Sequence, residues 1–90
     1  MTAEEFENAS IETTSTDLEL VFDSYQSRND QTVGMRFNNV NIPQGAVITN
    51  SYIQFTVDEL DSGSTDLIFY GEDVDNSGTF TATSFDITGR

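Results

Sequence analysis

Apolar and polar residues along this chain alternate with a period of two. Leu18, Leu20 and Phe22, spaced by Glu19 and Val21, predict a strand over Asp17–Asp23. Val33, Met35 and Phe37, spaced by Gly34 and Arg36, predict a second strand that carries a single charge. Between these two, Ser24–Asp30 reads as a polar loop. The longest patterned segment runs from Ala46 to about Glu59. There Ile53, Phe55 and Val57 share one face, and Tyr52, Gln54, Thr56 and Asp58 share the other. Ile48 has the wrong parity for that face, which a bulge near Asn50 would correct. Leu67–Tyr70 is apolar on both faces and reads as a central strand. Phe80, Phe85 and Ile87 anchor one or two short strands further on, and Phe6, Ala9 and Ile11 outline another upstream. Residues 1–5 are expected to be flexible.

Turn chemistry separates these runs. Ile42-Pro43-Gln44-Gly45 places a proline where its fixed φ starts a turn and a glycine where the turn closes. Asp61-Ser62-Gly63-Ser64 reads as a second turn, and Glu72–Gly78 as an acidic loop. No stretch has helical spacing and no internal repeat is present. Short strands at intervals of about 10–15 residues, with turn signals between them, argue an all-β fold, a sandwich or a barrel. One domain over residues 1–90, or the N-terminal part of one, accounts for the length.

Four stretches form a recognisable series: Thr16-Asp17-Leu18-Glu19-Leu20, Val33-Gly34-Met35-Arg36-Phe37, Asn41-Ile42-Pro43-Gln44-Gly45-Ala46-Val47-Ile48 and Tyr52-Ile53-Gln54-Phe55-Thr56-Val57-Asp58-Glu59. Tyr70-Gly71-Glu72, Asp75-Asn76 and Thr79-Phe80 continue it. Over about residues 10–90 the chain resembles the DNRLRE-type domains. These are jelly-roll-like, carbohydrate-binding-module-like β-sandwiches of secreted and surface proteins from marine and environmental bacteria. The turn Ile42-Pro43-x-Gly45-Ala46-x-Ile48 followed by Tyr52-Ile53-Gln54-Phe55 is its most specific part. The resemblance implies an extracellular or cell-surface, glycan-adjacent setting. It also implies further strands and a Trp-bearing segment past the position matching Arg90, whereas this chain has no Trp. The expectation is therefore a part of a larger domain, or a domain whose strand edges are completed by another chain, a second copy included.

Charge narrows the partners. Three arginines, no lysine and sixteen carboxylates give a formal net charge of −13. Nucleic acid and anionic membrane need a basic surface, so both are excluded as partners. The absence of His and Cys removes the triads, zinc sites and disulfides built on them. The acidity is not that of disorder, because seven Phe, three Tyr and many β-branched residues accompany it. No apolar run approaches the roughly 20 residues of a membrane helix. Met1-Thr2-Ala3-Glu4-Glu5 lacks the basic and apolar regions of a signal peptide.

The candidate chemistry is sparse. Asp73-x-Asp75-x-Ser77-Gly78 opens like a calcium loop, with hard oxygen ligands at alternate positions and glycine at the bend. Asp73, Asp75 and Ser77 would be the ligands, with Glu72 or Asp86 as the further carboxylate. The twelfth position is Ser84 instead of a bidentate Glu, and a solvated acidic loop explains the same residues. Tyr52 and Gln54, with Tyr70 on a neighbouring strand, make a minimal sugar platform of aromatic ring and amide; ordinary cross-strand packing is the alternative. Arg36 is expected to pair with Glu19 or Asp58, or with an acidic sugar. Asp61-Ser62-Gly63 echoes an aspartic-protease signature, with Ile87-Thr88-Gly89-Arg90 as a second piece. The neighbouring Asp58 and Glu59 mark an exposed turn, not a dyad held between apolar strands. Asn8-Ala9-Ser10 matches an N-glycosylation sequon, expected to be idle in a bacterial chain. No catalytic constellation emerges. The leading expectation is an accessory carbohydrate-binding module assisted by calcium, and the second is a structural or adhesive unit that pairs through strand edges.

Overall fold

A computed structural model describes residues 1–20, 22–23 and 29–90, with the backbone alone for Asp23 and Asn29. Val21 and most of the expected 24–30 loop lie outside the described residues. β1 (Thr2–Phe6), β2 (Ile11–Glu12), β3 (Phe22–Asp23) and β4 (Asn29–Met35) follow in chain order. β2, β1 and β4 form an antiparallel ladder, and β3 pairs with the start of β4, giving the order β2-β1-β4-β3. There is no helix among the described residues, so the fold is antiparallel β in character.

The N-terminal segment, expected to be flexible, is instead an inner strand of the sheet. β1 pairs with β4 from Thr2↔Met35 to Phe6↔Gln31. Met1 and Arg36 lengthen the ladder: the Arg36 N–H donates to the Met1 carbonyl at 2.7 Å, and the N-terminal amine to the Arg36 carbonyl at 2.8 Å. The outlined upstream strand divides at a hairpin loop between β1 and β2. The Ala9 N–H donates to the Phe6 carbonyl and the Phe6 N–H to the Ser10 carbonyl, with Ala9 at φ 65°. This is a three-residue hairpin loop closed by a left-handed residue.

Alternation along β1 sends Glu4 to one face of the sheet and Glu5 to the other, and both are buried. On the first face Glu4 Oε1 accepts the Glu19 N–H at 2.9 Å, while the Gln31 amide donates to the Glu19 carbonyl. Leu18, Glu19 and Leu20 are thereby held, half-buried, without a ladder of their own. On the second face Glu5 Oε2 accepts the N–H groups of Ile87 and Thr88, each at 2.9 Å, and the Thr88 hydroxyl bonds Oε1. Ala3 and its cross-strand partner Gly34 share this second face. Phe80 lies on Gly34 so closely that a Cβ there would stand 2.6 Å from the ring tip.

Several expected strands are corrected. β4 starts at Asn29 and ends at Met35, several residues earlier than the Val33–Phe37 alternation indicated. Of the described residues of Asp17–Asp23, Phe22–Asp23 alone enter the sheet. Ala46–Glu59 and Leu67–Tyr70 form no ladder, and Leu67–Tyr70 is exposed instead of central. Phe80–Ile87 leads into successive turns over 84–89. The physical reason is common to the long run and the apolar one: alternation states which side chains would share a face, but a strand also needs a paired neighbour. The proline turn is present one residue late, with the Ala46 N–H donating to the Pro43 carbonyl and Gly45 at φ 79°.

Replacing Glu5 by alanine strips three donors of their acceptor beneath the covering segment. Urea unfolding of Glu5→Ala is expected to show a loss of about 1–3 kcal/mol, with faster amide exchange at Ile87 and Thr88. Glu59→Ala, an exposed control, should stay within about 0.5 kcal/mol of the parent. Equal losses in the two variants would contradict the role given to Glu5.

Candidate functional site

Two places collect functional side chains. The first is an open hollow of about 290 Å³ where the end of β4 meets the 52–55 segment. Arg36, Tyr52 and Gln54 line it together with Met1, Leu18, Met35, Phe37, Ile53 and Phe55. Three of the four residues expected to bind sugar thus meet at one concavity. Tyr70, 89% exposed, does not line it. Arg36 does not take the expected carboxylate: its Nε donates to the Ser77 carbonyl at 2.8 Å and its Nη1 to Asn38 Oδ1. A guanidinium at a strand end has two carbonyl-type oxygens within reach here, and they take two of its five N–H donors.

The second place is the acidic loop with the C-terminal turns. Arg90 organises it. Its Nη1 donates to Glu72 Oε2 at 3.2 Å and to the Gly78 carbonyl at 3.0 Å. Its Nη2 reaches Asp86 Oδ2 and the Thr79 carbonyl, both at 3.3 Å, and its Nε the Asp86 carbonyl at 2.7 Å. The guanidinium also stands 4.6 Å from the centre of the Phe80 ring, the same ring that rests on Gly34. The hydrogen bond from the Ser77 side chain, aided by Arg90, lowers the Glu72 carboxyl below its ordinary value of 4.5. The Thr81 N–H, 2.6 Å from Asp86 Oδ2, does the same for Asp86, again aided by Arg90.

Three of the five expected metal ligands serve other partners. Glu72 and Asp86 converge on Arg90, and Ser77 serves Glu72. Asp73 and Asp75 remain exposed. Among the described residues no group of three or more acidic side chains is placed to hold a metal ion. Sequence reasoning missed Arg90 and Glu5. An arginine beside a glycine and a glutamate near the start of the chain carry no pattern of their own. Their partners lie 18 and 83 residues away.

No family model matches the chain, and no curated protein or solved structure is significantly similar to it.

Glu72 and Asp86 have folded-state values below their unfolded ones, so their contribution is complete above about pH 5 and is lost as the pH falls through the lowered values. Thermal unfolding followed from pH 6 to 2.5 should show a falling Tm at the acid end. Arg90→Gln should flatten that fall without abolishing it, because the Ser77 and Thr81 donors remain. An unchanged profile in Arg90→Gln would remove Arg90 as a contributor to the acid-end loss.

Proposed function

We propose that this chain is a non-catalytic structural or adhesive β-unit of an extracellular or cell-surface protein, completed by strand-edge pairing with another chain. The observation that carries this reading is the open stretch between Phe37 and Val74. Fifteen large apolar side chains there are exposed, from Phe55 at 38% to Leu60 at 94%. Between 47 and 71 no backbone group bonds another backbone group among the described residues. Phe55 and Phe69 stand 6.5 Å apart with their rings tilted by 37°, so the two apolar runs approach each other at this pair.

Surface area sets the scale of what is missing. The accessible surface is 7660 Å². A folded chain of 10.0 kDa ordinarily exposes about 5,200 Å². The excess of about 2,400 Å² exceeds what a standard protein–protein interface covers in total. The radius of gyration, 14.6 Å, likewise exceeds the roughly 12 Å of a compact domain of this length. A second sheet built on this stretch would give the antiparallel, jelly-roll-like sandwich that the DNRLRE-type resemblance implies.

Hydrogen exchange tests the premise. In the isolated chain, amides over 47–57 and 67–70 should exchange within seconds, while those of β1 and β4 are protected for much longer. Protection of the open stretch equal to that of β1 would remove the basis for the proposal.

A second reading, the accessory carbohydrate-binding module, is favoured by the convergence of Arg36, Tyr52 and Gln54 on one hollow. Titration calorimetry against neutral and acidic polysaccharides, with and without calcium, should then give heat with one glycan that Tyr52→Ala abolishes. A calcium requirement would be lost in Asp75→Ala. Silence across the panel leaves the edge-pairing reading alone.

A further inference from the structure

The open stretch has a second property besides its apolar surface. Asp58, Glu59, Asp61 and Asp66 fill the connection between its two apolar runs, and Glu72, Asp73 and Asp75 follow directly on the second run. Seven of the sixteen carboxylates of the chain therefore border the region that lacks a cover. The chain has few cations to set against them. Arg90 is paired with Glu72 and Asp86, while Arg36 is held at the other end of the stretch by the neutral oxygens of Ser77 and Asn38. Arg28 lies outside the described residues.

We infer that the cover is a cationic β-strand: an extended polypeptide whose apolar residues alternate and whose ends carry lysine or arginine. This rests on the edge-pairing reading and adds the chemistry of the partner. The backbone over 47–71, which bonds no other backbone group among the described residues, calls for a partner with its own backbone N–H and C=O groups. The apolar runs call for side chains on alternate positions. The acidic border selects the sign of the charge beside them. A second copy of this chain meets the first two demands and fails the third, because it brings −13 against −13. A polysaccharide meets none of the backbone demand.

The test uses the full chain, isotopically labelled, and two short synthetic peptides with the same alternating Val-Thr centre. One peptide is flanked by lysines and the other by glutamates. The expected result is a set of amide shift changes confined to 46–70, with the lysine peptide bound at least about tenfold more tightly at 50 mM salt. Raising the salt to 500 mM should shrink that advantage severalfold. The triple variant Asp58→Asn, Asp61→Asn, Asp66→Asn should bind the lysine peptide at least about fivefold more weakly while binding the glutamate peptide no worse. Equal affinity for the two peptides overturns the inference and leaves edge pairing standing. Binding of neither peptide overturns both. The same shifts with spermine alone would mean that charge acts without a strand, which also overturns it. Sedimentation that shows self-association through the same residues would put a second copy in the partner's place.

Discussion

Two adjacent carboxylates in the middle of a β-strand hold the folded part of this chain together. Burying a carboxyl group costs several kcal/mol unless its oxygens are bonded. Glu4 and Glu5 meet that demand with donors from other parts of the chain, and those donors belong to the two segments that cover the sheet. Because neighbouring strand residues face opposite ways, one segment is fixed on each face. The sheet is thus layered by hydrogen bonds to acceptors as much as by apolar burial, and its buried hydrophobic residues are as small as Ala3 and Ala9. Small residues suit this arrangement. Gly34 leaves room for the Phe80 ring, and the ring in turn seats Arg90.

What could be read from the sequence follows from the same chemistry. The Pro43–Gly45 turn was legible because proline and glycine act locally, through φ alone. β4 was legible at Val33 and Met35, where alternation coincides with half-buried positions. β1 was not, because Thr-Ala-Glu-Glu-Phe reads as a solvated end when carboxylates are assumed to face water. The Ile53–Phe55–Val57 and Leu67–Tyr70 patterns were read as strands, yet they stay unpaired, since a sequence pattern records a demand for a neighbour and not its presence. At the candidate sites, Arg36, Tyr52 and Gln54 were legible as residue types on one predicted sheet and do converge. The Arg90 cluster was not, because it joins Glu72, Phe80 and Asp86 through turns that have no periodicity.

The net charge has a different meaning in the two parts of the molecule. Within the folded part, carboxylates serve as acceptors: Glu4 and Glu5 for backbone N–H groups, Glu72 and Asp86 for Arg90 as well. Along the open stretch they flank exposed apolar runs, the placement that keeps unpaired edges from joining one another. An apolar surface of this size would otherwise favour association between copies. In the proposed assembly the same residues would oppose pairing between copies and set the sign of the charge on the partner strand.

The open stretch is also tethered at both ends, and this bears on the cost of completing it. Arg36 Nε bonds the Ser77 carbonyl, bringing together residues 41 apart. Beside this bond the Met1–Arg36 pair secures one end, and the Glu72–Arg90 pair secures the other. The loop between them is closed before any partner arrives. Closing a loop costs about (3/2)RT ln n plus a constant, and that part is already met within the chain. The proposed partner strand would then have to order the two apolar runs without first gathering them, which lowers the entropic penalty of association. In the proposed assembly the hydrogen bonds of Arg36 and Arg90 would contribute without touching the partner, by holding the two runs where the Phe55 and Phe69 rings meet.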